Sequence, residues 1–118
     1  MHGKPVELRA SIRISGDQEP FQVDVPVVRN KRERRGVPRP ATIIYTLEKE
    51  SIDAGFTLGD VDLKTESPDI DFVRGTDRKY IFSNTNTVAE ERYLFGFHYH
   101  RDGKRHYFDP EILNEEFN

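Results

Sequence analysis

The chain contains no cysteine, no tryptophan and no long apolar run. Without cysteine there can be no disulfide, no thiolate zinc site and no cysteine nucleophile, which leaves any metal to histidine and carboxylates. No stretch approaches the roughly 20 apolar residues of a membrane span, and Met1-His2-Gly3-Lys4-Pro5 lacks an apolar segment of signal-peptide length. A soluble, cytoplasmic protein is therefore expected. An excess of positive charge is missing too: the formal net charge is −3, so no global field draws the chain to nucleic acid. There is no P-loop, dinucleotide fingerprint, Gly-x-Ser-x-Gly or His-Glu-x-x-His, and the carboxylates are scattered. Turnover of an external substrate finds no support in these patterns, and no cofactor is implied.

What the chain does have is a period of two. Its 118 residues suit a single domain, 1–118, with 35% hydrophobic and 33% charged residues. Eight phenylalanines and five tyrosines point to a thin, aromatic core. Val6, Leu8, Ala10, Ile12 and Ile14 alternate with polar residues, the pattern of a strand with one wet face. Ser15-Gly16-Asp17 reads as a turn. Phe21, Val23, Val25 and Val27 repeat the alternation, with Pro26 marking an edge strand or a strand end. Ala41 to Leu47 is apolar on both phases, as in a central strand. Phe56, Leu58, Val61 and Leu63 form another strand, with Gly59-Asp60 shifting the phase as a bulge does. Short strands follow around Ile70 and Phe72, and around Tyr80 and Phe82. Seven to eight strands without an amphipathic helix predict an all-β, antiparallel β-sandwich, immunoglobulin-like, with a closed barrel as the alternative.

The last hairpin is the best determined. Tyr93, Phe95, Phe97 and Tyr99 alternate, Asp102-Gly103 signals a type I′ turn, and Tyr107-Phe108 returns. Opposed residues then sum to 205, setting Phe97 against Phe108 and Tyr99 against His106 on the core side. His98 against Tyr107 and Gly96 against Asp109 fall on the other.

Directly after this hairpin comes the one Asp-Pro bond, Asp109-Pro110. The aspartate carboxylate can attack its own carbonyl carbon through a five-membered ring, and proline's tertiary amide nitrogen is a comparatively good leaving group. Proline cannot donate a ladder hydrogen bond, so the strand is expected to end there, with the scissile carbonyl at a sheet margin. The Asp109 carboxylate, or a water it activates, would attack, while His98 or Glu111 protonates the departing nitrogen. Gly96, facing Asp109, would leave space for a water, a lysine or a twisted backbone. The same dipeptide also serves simply to end strands and start turns.

The segment from Pro40 to Asn114 resembles the DP-EP family of small bacterial β-sandwich proteins. The resemblance rests on Pro40-Ala41-Thr42-Ile43 with Tyr45 and Leu47, on Gly55-Phe56 with Val61, on the aromatic penultimate strand, and above all on Asp109-Pro110-Glu111-Ile112 with Asn114. It implies one β-sandwich domain and self-cleavage at the Asp-Pro bond, with Asp109 as the reacting carboxylate and Pro110 as the new N-terminus. The chain departs from the family in having no second proline in Asn114-Glu115-Glu116-Phe117. It also lacks a lysine in the strand before the hairpin turn, where Glu90, Glu91 and Arg92 stand, and Lys104 is the nearest in sequence. Hydrolysis is accordingly expected in preference to an isopeptide.

Two further groups carry candidate chemistry. His98 and His100 share a strand face and, with Asp109, have the donor types for zinc; they also suit a pH-sensitive patch or plain surface decoration, with His106 on the opposite face. The basic run Arg29, Lys31, Arg32, Arg34 and Arg35 is a candidate partner-binding loop. With no aromatic interleaved for base stacking, nucleic acid is not the expected partner; an acidic protein or self-association is. A non-enzymatic binding or structural module, working through this loop or an exposed sheet face, is thus the alternative to self-cleavage.

Overall fold

The alternating segments form strands in the computed structural model, which describes residues 5–117. The first, β1 (Val6–Ser15), turns Ala10, Ile12 and Ile14 inward and its charged residues outward. Gly16, at φ 119°, turns the chain into the short β2 (Gln22–Asp24), antiparallel to the end of β1. Pro26 then interrupts the second alternating run. Beyond it β3 (Val28–Lys31) belongs to the other sheet, so residues 22–31 cross from one layer to the next.

The apolar run becomes β4 (Ala41–Leu47), with Ile43, Ile44 and Tyr45 all buried between β1 and its other neighbour. One helical turn, α1 (Lys49–Asp53), follows. Its buried Ser51 hydroxyl accepts from the Ile14 N–H at 2.9 Å and donates to the Ile14 carbonyl at 3.0 Å, supplying β1 with bonds where its ladder ends. The chain continues through β5 (Thr57–Leu63), β6 (Ile70–Gly75), β7 (Lys79–Asn84), β8 (Glu91–Arg101), β9 (Lys104–Phe108) and β10 (Glu111–Glu115). The register of β5 on β8 shifts between Leu58 and Val61, so Gly59-Asp60 is a bulge as expected.

Two five-stranded sheets result, ordered β2-β1-β4-β7-β6 and β3-β10-β8-β5 with β9 also on β8. The fold is all-β, but not purely antiparallel as the sequence suggested. β1 runs parallel to β4 from Val6↔Ala41 to Ile12↔Leu47, and β3 runs parallel to β10. The cause is the crossing at Pro26: the chain visits the second sheet before returning to the first, which allows neighbours in the same direction. Among the described residues there are ten strands instead of seven or eight, because β3 forms beyond Pro26 in a segment without an apolar pattern and the chain resumes pairing after Pro110.

Aromatic rings join the layers. Phe95 of β8 lies 4.7 Å from Phe82 and 5.4 Å from Tyr45, centroid to centroid, and Phe97 lies 5.7 Å from Tyr80. Such pairs add about 0.5–1.5 kcal/mol each beyond their buried area. No helix among the described residues is long and apolar enough to cross a membrane.

Candidate functional site

The eleven residues of β8 are enough to pair with two strands in succession. Phe97↔Phe108, His98↔Tyr107 and Tyr99↔His106 reproduce the expected hairpin register, with Phe97 and Tyr99 buried on the core side. Farther along, Glu111↔Leu94 and Ile112↔Tyr93 keep the same sum of 205. β9 and β10 are thus one line of chain on β8, interrupted without slippage at Asp109 and Pro110. Pro110 still accepts from the Phe95 N–H at 3.4 Å.

As expected, β9 ends just before the proline, at Phe108, and residues 109 and 110 lie outside any strand. Beyond the expectation, pairing on β8 resumes at Glu111, so the Asp109-Pro110 bond sits in the gap between β9 and β10, beside β8. Proline removes one donor but does not disturb the alternation: Phe108, Pro110, Ile112 and Asn114 continue on the inward phase, with the last three buried. Asp109 is on the outer face with Tyr107 and Glu111.

On that face a lysine stands beside the aspartate. Lys64, the residue after β5, places Nζ 3.2 Å from Asp109 Oδ1 and 3.4 Å from Oδ2. The same ammonium lies 4.7 Å from the centroid of the Tyr107 ring. Hydrogen bonding to Tyr107 and to Asp109 holds the lysine above its ordinary pKa, against a small opposing effect of burial.

Gly96 has a different role from the one expected. A Cβ there would come within 1.7 Å of Tyr107 Oη and 2.2 Å of Cζ, so the space belongs to the tyrosine ring and not to water or lysine. His98 packs against the Tyr107 ring itself, 4.8 Å between centroids, and no hydrogen bond joins it to Asp109 among the described residues. Glu111, the other expected proton donor, is paired with Arg92 Nε at 2.6 Å. Lys64 is the group that sequence reasoning missed. It is far from Asp109 in the chain, and only the pairing of β5 with β8, which sets Asp62 opposite Gly96, brings it near.

The basic run is not a free loop. Arg29 and Lys31 lie in β3, and Arg32 is 4% exposed. Its guanidinium donates to the Asn86 carbonyl at 2.7 Å and to Glu116 Oε2 at 3.1 Å. Arg29 pairs with Glu115 at 3.3 Å, and Arg35 donates to the Phe117 carbonyl at 2.9 Å. Lys31 and Arg34 are exposed. Three of the five expected partner-binding residues thus hold the chain's own C-terminal segment. Among the described residues no group of three His, Asp or Glu side chains is placed to hold a metal ion.

A second polar cluster is structural. Buried Asp69 accepts from the hydroxyls of Thr85 and Thr87 and from the N–H groups of Thr87 and Val88, both at 3.0 Å. Burial alone would raise its pKa, but these four donors outweigh it and leave the carboxyl below its ordinary value. A folded-state pKa below the unfolded one stabilises the protein above the unfolded pKa and loses that contribution as pH falls through the folded one. Asp69→Asn should therefore lower stability near neutrality and flatten its fall between about pH 5 and pH 2, measured by urea unfolding across that range. A mutant with the wild-type acid profile would show that Asp69 does not govern it.

No family model matches the chain, and no curated protein matches it. Among solved structures, an endo-fucoidan hydrolase from glycoside hydrolase family 107 is similar over 78% of this chain and 13% of that one, at 14% identity and a TM-score of 0.42. The chain thus spans a small fraction of that enzyme.

Proposed function

We propose that this protein cuts its own chain between Asp109 and Pro110 and passes the Asp109 acyl group to Lys64. The observation that carries the reading is the lysine Nζ at 3.2 Å from the carboxylate of the one Asp-Pro bond. The tail Asp109-Pro110-Glu111-Ile112 with Asn114, which resembles the DP-EP family, supports it. The crossing between sheets at Pro26 supports reading the two layers as an immunoglobulin-like sandwich.

The steps balance as follows. An Asp109 carboxylate oxygen bonds to the main-chain carbonyl carbon of residue 109, and the bond from that carbon to the Pro110 nitrogen breaks. The nitrogen takes up a proton, and a cyclic anhydride remains on Asp109. Anhydride formation removes the Asp109 negative charge beside the Lys64 ammonium. The lysine then loses a proton to solvent, and its amine attacks the anhydride at Cγ. An isopeptide forms and the α-carboxylate departs. Water in place of Lys64 gives simple hydrolysis.

Denaturing mass spectrometry of freshly purified protein at neutral pH tests this. The expected products are the segment from Pro110 onward and a body ending at Asp109 that is one water lighter than its hydrolysed form. Lys64→Arg should give the hydrolysed mass, and Asp109→Asn an intact chain. Wild type that stays whole over days would remove the proposal. The alternative, a binding module, would then rest on exposed apolar residues of the two edge strands, Leu63 of β5 and Phe72 and Val73 of β6, exposed by 46, 38 and 60%.

A further inference from the structure

The segment that this cut would free is anchored on every side. β10 pairs with β3 in parallel register, from Ile112↔Val28 to Glu115↔Lys31, and with β8 in antiparallel register. Its inward side chains differ in chemistry and each meets its match. Ile112 is fully buried in the apolar core. Asn114, also buried, exchanges two hydrogen bonds with Asn84, at 2.6 and 3.2 Å. The acidic end beyond them meets the basic segment. Glu115 pairs with Arg29, and Glu116 accepts from Arg32 at 3.1 Å and from the Gly36 N–H at 3.3 Å.

Backbone bonds of this kind supply affinity in strand addition, and the alternating side chains supply specificity. Covalent connection to β9 runs only through Asp109-Pro110. Once that link is cut, the high effective concentration that favours a chain's own strand is gone, and an identical strand from elsewhere competes on equal terms. Resting on the self-cleavage reading, we infer that the cleft between β3 and β8 is a binding site for an acidic extended peptide of the form Ile-x-Asn-Glu-Glu, and that its occupant in trans is the C-terminal segment of a second copy of this chain. The basic run is the part of the site that selects acidic residues after the asparagine.

The test uses the full chain with a site-specific protease sequence inserted between Asp109 and Pro110, so that the nick does not depend on Asp109 chemistry. Nicked protein is unfolded in denaturant and refolded in excess isotope-labelled peptide with the sequence of Pro110 to Asn118. Native mass spectrometry then reads which strand is bound. The expected result is a refolded body carrying mostly labelled peptide, with incorporation at least about tenfold lower for peptides bearing Asn114→Leu or Glu116→Lys. A body that refolds without peptide, fails to refold with it, or takes up all three peptides equally would overturn the inference. Wild type that never cuts itself, beside a nicked variant that exchanges strands, would remove self-cleavage and keep the cleft.

Discussion

Replacing Arg32 with alanine will destabilise the folded chain by about 3–5 kcal/mol, while the same change at Arg34 will stay within about 0.5 kcal/mol. The two residues belong to one basic run and differ in what surrounds them. Arg32 is 4% exposed and joins three chain segments through Asn86 and Glu116. Truncating it leaves the Asn86 carbonyl without this donor and Glu116 without its cation. Arg34 is exposed, and its truncation strands nothing. Urea unfolding of both variants at neutral pH checks the contrast. Equal, small effects would return the whole run to the status of a solvated loop and take away the basic half of the peptide cleft.

The second large effect is expected at Gly96. The Gly96→Ala methyl would lie 1.7 Å from Tyr107 Oη, closer than any real contact, so the ring must leave its place. Overpacking of this kind costs about 1–3 kcal/mol. Moving Tyr107 also removes the ring beside Lys64, so the proposed self-cleavage should slow along with the loss of stability. Combining Gly96→Ala with Tyr107→Ala relieves the collision and should recover most of the stability without recovering the cleavage rate, because the lysine still lacks its ring. A double-mutant cycle in unfolding free energy, run alongside a mass-spectrometric time course, separates these effects. Cleavage at the wild-type rate in Gly96→Ala would show that Tyr107 has no part in placing Lys64.

The most legible part of this molecule was the hairpin of β8 and β9. Strict alternation fixes which face is wet, and a two-residue Asp-Gly turn fixes the register, so the pairs of Phe97 with Phe108 and His98 with Tyr107 followed from the sequence alone. The bulge at Gly59-Asp60 was legible for the same reason: it breaks a visible period. β3 was hidden because its inward positions after Val28 are polar, with Asn30 and then Arg32 where apolar residues were sought. β10 was hidden because the proline does end β9, and no local pattern shows that pairing on β8 resumes at the next residue. Lys64 was hidden most completely. Its nearness to Asp109 depends on which strands pair across the sheet, and no local pattern encodes that.

Among the described residues, β3 has β10 as its only ladder partner in the second sheet, and β10 comes after the nine other strands. While the polypeptide is being made, β3 therefore waits longest for its neighbour, its backbone donors and acceptors open to any other extended segment. Charged side chains at and beside such strands act as gatekeepers against aggregation. Arg29 and Lys31 face outward from β3 itself, and Arg34 and Arg35 follow close behind. The run that later grips the acidic tail thus also protects the nascent chain, and charge-removing changes there should show first as poor recovery of soluble protein.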